Sequence, residues 1–174
     1  MPSLFTVRRI ENAVKRLKRQ YDAADPYEIA GRMDIMVEYH EYPRLLGFCC
    51  KVLGNTVIAL NSRAPRDERR CVCAHELGHI VLGHIRSEGF TTMHYCELSN
   101  LDYWFEAEAN CFAAALLIDD EELMDALDNY DTAERMAANL RVCPEILQAK
   151  MDMMRTRGKN VPRIESTGRA WRRG

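Results

Sequence analysis

The sequence predicts an α+β fold, mainly helical, with a small three-stranded, largely antiparallel sheet beside one apolar helix. Three observations lead there. Apolar residues recur at helical spacing in segments along the whole chain. Three short segments between residues 34 and 60 are rich in β-branched and aromatic residues. Gly54-Asn55, between the last two of these, is a two-residue hairpin signal that makes them antiparallel neighbours.

Taken in order, Ile10 to Tyr21 reads as a basic amphipathic helix with Ile10, Val14, Leu17 and Tyr21 in one stripe. Asp25-Pro26 starts a short second helix, Asp25 as N-cap and Pro26 in the first position, ending near Gly31. The strands are Asp34 to Tyr39, Gly47 to Leu53 and Thr56 to Leu60. Pro65 opens a helix with Asp67 and Glu68 in its first turn, where the helix dipole favours acids. It runs to about Leu82 and stops at Gly83. Residues 88 to 100 read as a loop or irregular strand, and Tyr103 to Ile118 as a strong helix. Asp119-Asp120 caps another, and Thr132 to Leu140 and Pro144 to about Met154 are two more. From Arg155 the chain carries seven Lys/Arg and one Glu, a basic tail.

The bulk numbers exclude several classes. A chain of 174 residues, 47% hydrophobic and 29% charged, can build one globular core. A net charge of -2 gives no basis for direct nucleic-acid binding. No apolar run approaches the ~20 residues of a membrane span, and the N-terminal segment lacks the apolar stretch of a secretory signal. Seven cysteines, most within apolar patterns, read as reduced buried thiols of a cytoplasmic protein. Cys71-Val72-Cys73 lacks the spacing of a zinc knuckle.

The chemistry concentrates in His75-Glu76-Leu77-Gly78-His79. Residues four apart on a helix lie ~40° from one another, so His75 and His79 share a face one turn apart. Both imidazoles can then reach one Zn²⁺. Glu76 borders the same site and can accept a proton from water there, as the catalytic base. The surrounding helix is apolar (Cys71, Val72, Ala74, Leu77, Ile80, Val81), and burying these polar groups without a shared purpose is costly.

A third ligand has two candidates. His84, nine residues past His75, falls ~180° around a continued helix. The spacing HExxHxxxGH is also out of register with HExxHxxGxxH. His84 is therefore rejected as ligand and read as an interfacial or surface histidine near the helix end. The next helix offers Glu106, with Asn110 four residues on and Ala113 continuing the face. Glu106 is assigned as third ligand and Asn110 as a hydrogen-bonding support. Glu108 lies ~200° away from Glu106 and is placed on the opposite, exposed side.

AHELGH followed by EAEANCFAAALLI resembles the ImmA/IrrE family of zinc metallo-endopeptidases, a likeness running from about Asp25 to Ile118. The resemblance implies a gluzincin-like, zincin-like core over residues 1–118, with His75, His79 and Glu106 holding zinc and Glu76 as base. It implies a helix-turn-helix-like segment after the core, for which Thr132 to Met154 is the candidate; the helices over 119–154 read equally as plain helices packed on the core, followed by the tail 155–174. It further implies that the substrate is a protein, a repressor of a mobile element, phage or stress regulon. The family often follows its LL with Met-Pro; here Leu116-Leu117 runs into Ile118-Asp119, a departure at the helix exit. His94, Tyr95 and Tyr103 are candidates for stabilising the oxyanion. A substrate strand is expected on the edge of Thr56–Leu60. The competing reading is a regulatory binding module with a structural or vestigial zinc site.

Overall fold

The computed structural model of the chain describes residues 1–85, 89–90 and 100–162. Among them are the helices α1 (Leu4–Tyr21), α2 (Pro26–Arg32), α3 (Arg66–Val81), α4 (Asn100–Leu117), α5 (Asp120–Asn129), α6 (Ala133–Leu140) and α7 (Pro144–Thr156). The strands are β1 (Met36–His40), β2 (Gly47–Val52), β3 (Asn55–Asn61) and the two-residue β4 (Gly89–Phe90). The fold is mainly helical α+β, with one small sheet packed against α3.

Local chemistry explains most boundaries. Ser3 caps α1 by accepting from the Thr6 amide, which starts that helix at Leu4, ahead of the expected Ile10. Asp25 Oδ1 accepts from the Tyr27 and Glu28 amides, with Pro26 in the first turn. The carboxylate of Glu122 reaches back to the Asp119 amide at 3.0 Å and caps α5. Ile118 between α4 and α5 is fully buried, so the departure from Met-Pro is accommodated by a tight, capped exit. The helix α7 runs through Thr156, two residues into the segment read as tail. Arg157 beyond it pairs with Glu11 and Asp120, and Asp120 also holds the buried Lys150. These bonds tie α7 to α1 and α5.

The sheet order is β1-β3-β2-β4. β2 pairs antiparallel with β3, as the hairpin signal requires, and β4 pairs antiparallel with β2. β1 pairs parallel with β3, Met36 opposite Val57 and His40 opposite Asn61. The chain therefore crosses from β1 past the end of β3 before forming β2. Buried Asn61 holds that crossing, its side-chain amide donating to the Tyr42 and Leu45 carbonyls at 2.8 Å each. The placement corrects one expectation. β3 has β1 on one side and β2 on the other, so Thr56–Leu60 has no free edge for a substrate strand.

The hairpin turn also shifts by one residue. Val52 pairs with Asn55, leaving Leu53 and Gly54 as the turn, both with positive φ (51° and 81°). A two-residue turn of this hand needs positive φ at both positions. Gly54 accepts it freely; Leu53, 89% exposed, pays for it without any packing in return. Leu53→Asn is expected to stabilise the fold by about 0.5–1 kcal/mol, read as a raised midpoint in urea. An unchanged or lowered midpoint sinks this account of the turn.

α3 is the central helix. It packs on β2 and β3 with one side and on α4 with another, burying Cys71, Val72, Cys73, Ala74 and Leu77. α4 contributes Ala109, Phe112, Ala113 and Leu116 and is backed by α1 and α7. The site lies along the α3–α4 contact.

Candidate metal centre

Two helices close on each other because their facing residues are small. Gly78 of α3 meets Ala109 and Phe112 of α4; a Cβ at 78 would sit 3.2 Å from the Ala109 Cα and 3.1 Å from Phe112. Gly78→Ala would force α4 outward by a few tenths of an ångström. Overpacking costs about 1–3 kcal/mol and outweighs the ~1 kcal/mol gain in helix propensity. The expected result is a lower melting temperature together with weaker metal uptake in a competition titration. A variant as stable and as metal-avid as the parent would show that this contact does not set the spacing.

That approach brings Glu106 against both histidines. His75 Nε2 lies 3.2 Å from Glu106 Oε2, His79 Nε2 lies 3.3 Å from Glu106 Oε1, and the two Nε2 atoms are 3.1 Å apart. His75, His79 and Glu106 are the one group of three potential metal donors among the described residues. Four ligands placed tetrahedrally ~2.0–2.1 Å from a zinc ion stand about 3.3 Å from one another. The three donor atoms already have that spacing, and two imidazoles with one carboxylate are a donor set suited to zinc with a position left open. The residues fit the ion.

The electrostatics follow from the crowding. Burial works against a charged His75, yet hydrogen bonding to Glu106 and the nearby Glu76 charge leave its pKa raised. Burial likewise opposes a charged Glu106, but the hydrogen bonds to His75 and His79 outweigh it and hold that carboxyl well below the usual carboxylate range. The carboxylate is thus kept ionised, the form that binding a metal ion would require.

Supporting groups hold each imidazole from behind. His75 Nδ1 is 2.9 Å from Asn110 Oδ1, so the ring donates there and turns Nε2 towards the donor cluster. His79 is 1% exposed, and its Nδ1 faces His84 Nδ1 at 3.0 Å. His84 Nε2 in turn lies 3.1 Å from Glu108 Oε2, and Arg9 of α1 pairs with the other Glu108 oxygen. Two expectations are corrected here. Of the two readings of His84, the surface one fails and the interfacial one holds: it is 7% exposed and stacks on Phe105 of α4. Burial and the neighbouring His79 lower its pKa. Glu108 is not exposed either, with 18% of its side chain accessible. Extrapolating α3 as a straight helix misplaces His84, because the chain reverses at Gly83, φ 76°. The Gly83 amide bonds the Ile80 carbonyl and the His84 amide bonds the His79 carbonyl, a Schellman ending.

Glu76 is 5% exposed, and its Oε2 has no hydrogen-bond partner among the described residues. Beside it on β2 is Cys49, fully buried, whose thiol is pushed up by burial and by the charge and hydrogen bond of Glu76. Burial and the neighbouring Glu76 charge therefore keep the Cys49 thiol protonated beside that carboxylate. Sequence reasoning missed both Cys49 and the role of His84. Strand alternation could have signalled the first, and the Gly83-His84 pair after a helical histidine the second. Of the expected oxyanion donors, Tyr103 stands one turn before Glu106 on α4 and is 67% exposed. His94 and Tyr95 lie outside the described residues.

Fold and donor cluster together place the chain among the metallopeptidase-like domains. Residues 32–152 match the peptidase family described as the IrrE N-terminal-like domain. The chain belongs to that family. It is also 36% identical over 112 residues to an uncharacterized immunity region protein 2 of Bacillus phage phi105, across 64% of this chain and 69% of the phage protein. No helix among the described residues is long and apolar enough to cross a membrane.

Proposed function

We propose that the protein is a cytoplasmic zinc-dependent endopeptidase whose substrate is a helix-turn-helix repressor of a mobile element, phage or stress regulon. The observation that carries the hydrolytic reading is the Glu76 carboxylate, buried beside the donor triad with one oxygen that has no hydrogen-bond partner among the described residues. Such an oxygen is costly in a core and useful where a proton must be taken up.

Zinc bound by His75, His79 and Glu106 supplies the Lewis acidity that makes water a competent nucleophile near neutral pH. Glu76 Oε2 accepts the proton that the attacking water loses and returns it to the departing amine. The buried Cys49 thiol on β2 lies beside that carboxylate and stays protonated there. Asn110 fixes the His75 ring, and its hydrogen bond leaves the Nε2 lone pair available. Tyr103 is the described candidate for the oxyanion, on the α4 turn that precedes Glu106. The repressor half of the reading is supported by the phage relative's description as an immunity region protein.

The test is to incubate the zinc-loaded protein with purified helix-turn-helix repressors and to measure intact masses. The expected outcome is a defined cut in one of them, lost on chelation and restored by added zinc. Zinc-loaded protein that cuts none of them ends the repressor reading. Cleavage indifferent to chelation ends the metal reading.

A further inference from the structure

The geometry points to a three-residue buttress, His84, Glu108 and Arg9, that sets the tautomer and orientation of His79 and so tunes the affinity of the donor triad for its ion. The inference rests on the metal-site reading above and extends it to residues with no place in the donor set.

The argument starts from the helix end. In a Schellman ending the residue after the glycine is folded back over the residue three from the helix terminus, and the pair usually makes an apolar contact. Here those two positions are His84 and His79, and the contact is a hydrogen bond between ring nitrogens at 3.0 Å. A ring that presents Nε2 to an ion carries its proton on Nδ1. His79 must then donate, and His84 Nδ1 must accept. An imidazole accepting at Nδ1 carries its own proton on Nε2. That atom lies 3.1 Å from Glu108 Oε2, an acceptor, while the remaining Glu108 oxygen is held by Arg9. Every bond in the row has one donor and one acceptor, in one direction, and the direction leaves His79 Nε2 bare towards Glu106. The row is well shielded: His79 and His84 side chains are 2% and 4% accessible, and Phe105 stacks on His84 at 4.5 Å between ring centroids. Glu106 and Glu108 thus divide the labour of α4. The first faces the donor cluster from one side of the helix, and the second reaches the same histidine from behind through His84.

Two variants separate this role from mere packing. His84→Asn keeps an acceptor near the Nδ1 position, and His84→Gln places its amide near the Nε2 position and removes that acceptor. Zinc affinity is measured by competition with a chromophoric chelator, and the visible spectrum is recorded with Co²⁺ in place of zinc. The expected result is near-parental affinity and spectrum for His84→Asn, and a 10- to 100-fold loss with an altered cobalt spectrum for His84→Gln. Equal behaviour of the two variants overturns the buttress. The parent protein gives a measurement that needs no variant: with zinc bound and histidines labelled with ¹⁵N, a nitrogen–nitrogen coupling across the His79–His84 hydrogen bond is expected, and its absence also overturns it. A parent that takes up no more metal than His75→Ala instead sinks the metal-site reading itself, a separate outcome.

Discussion

Replacing Glu76 with Gln is expected to slow peptide hydrolysis by on the order of 10²- to 10⁴-fold while leaving zinc bound, the range a positioned acid–base group contributes. The substitution preserves shape, so the buried pocket on α3 and β2 stays filled. The Gln carbonyl can still accept from the neighbouring Cys49 thiol. What is lost is the capacity of the carboxylate to take a proton. The fold should hold or gain, since a buried amide costs less to desolvate than a charged carboxylate. Stoichiometric zinc by elemental analysis and a parental circular dichroism spectrum would accompany the lost activity. A zinc-replete Glu76→Gln protein that cleaves at the parental rate removes Glu76 from the chemistry.

Glu106→Ala is expected to cost metal affinity more than the 100-fold upper range for a lost supporting group, because it removes a donor rather than a support. It also withdraws the charge that both imidazoles face at 3.2 and 3.3 Å. In the metal-free protein the loss should be mild: alanine suits a helix, and Glu106 sits at the rim of the α3–α4 contact with 19% of its side chain accessible. Competition titration of zinc reads the first effect and thermal unfolding with chelator the second. Collapse of the fold on chelation alone, in the parent, would favour a structural ion over a catalytic one. Parental zinc affinity in Glu106→Ala would remove it from the donor set.

Much of the architecture is readable from local signals. Caps at Asp25 and Thr132, prolines at 26 and 144, and Gly83 mark element ends because they act within a few residues of themselves. The failures are all of longer reach. The hairpin signal located the turn to within a residue but could not weigh Leu53 against Asn55 for the strained position. Nothing local says on which side of β3 the strand β1 pairs, so the buried edge of β3 was invisible. His84 and Glu108 were assigned by angle on ideal, isolated helices. One lies past a chain reversal, and the other is covered by His84 and by Arg9 from α1, nearly a hundred residues away in sequence.

By itself the sequence determined the helix-rich class, the spacing of His75, Glu76 and His79, and Glu106 as the acid facing them. Periodicity and capping operate over one or two turns, and that is the distance over which a helix turns spacing into direction. Only the tertiary structure decided how far apart α3 and α4 stand, which groups brace the histidines, and that a cysteine from β2 lies beside the carboxylate of Glu76. Those depend on close packing between segments remote in the chain, where a single Cβ at Gly78 would change the answer.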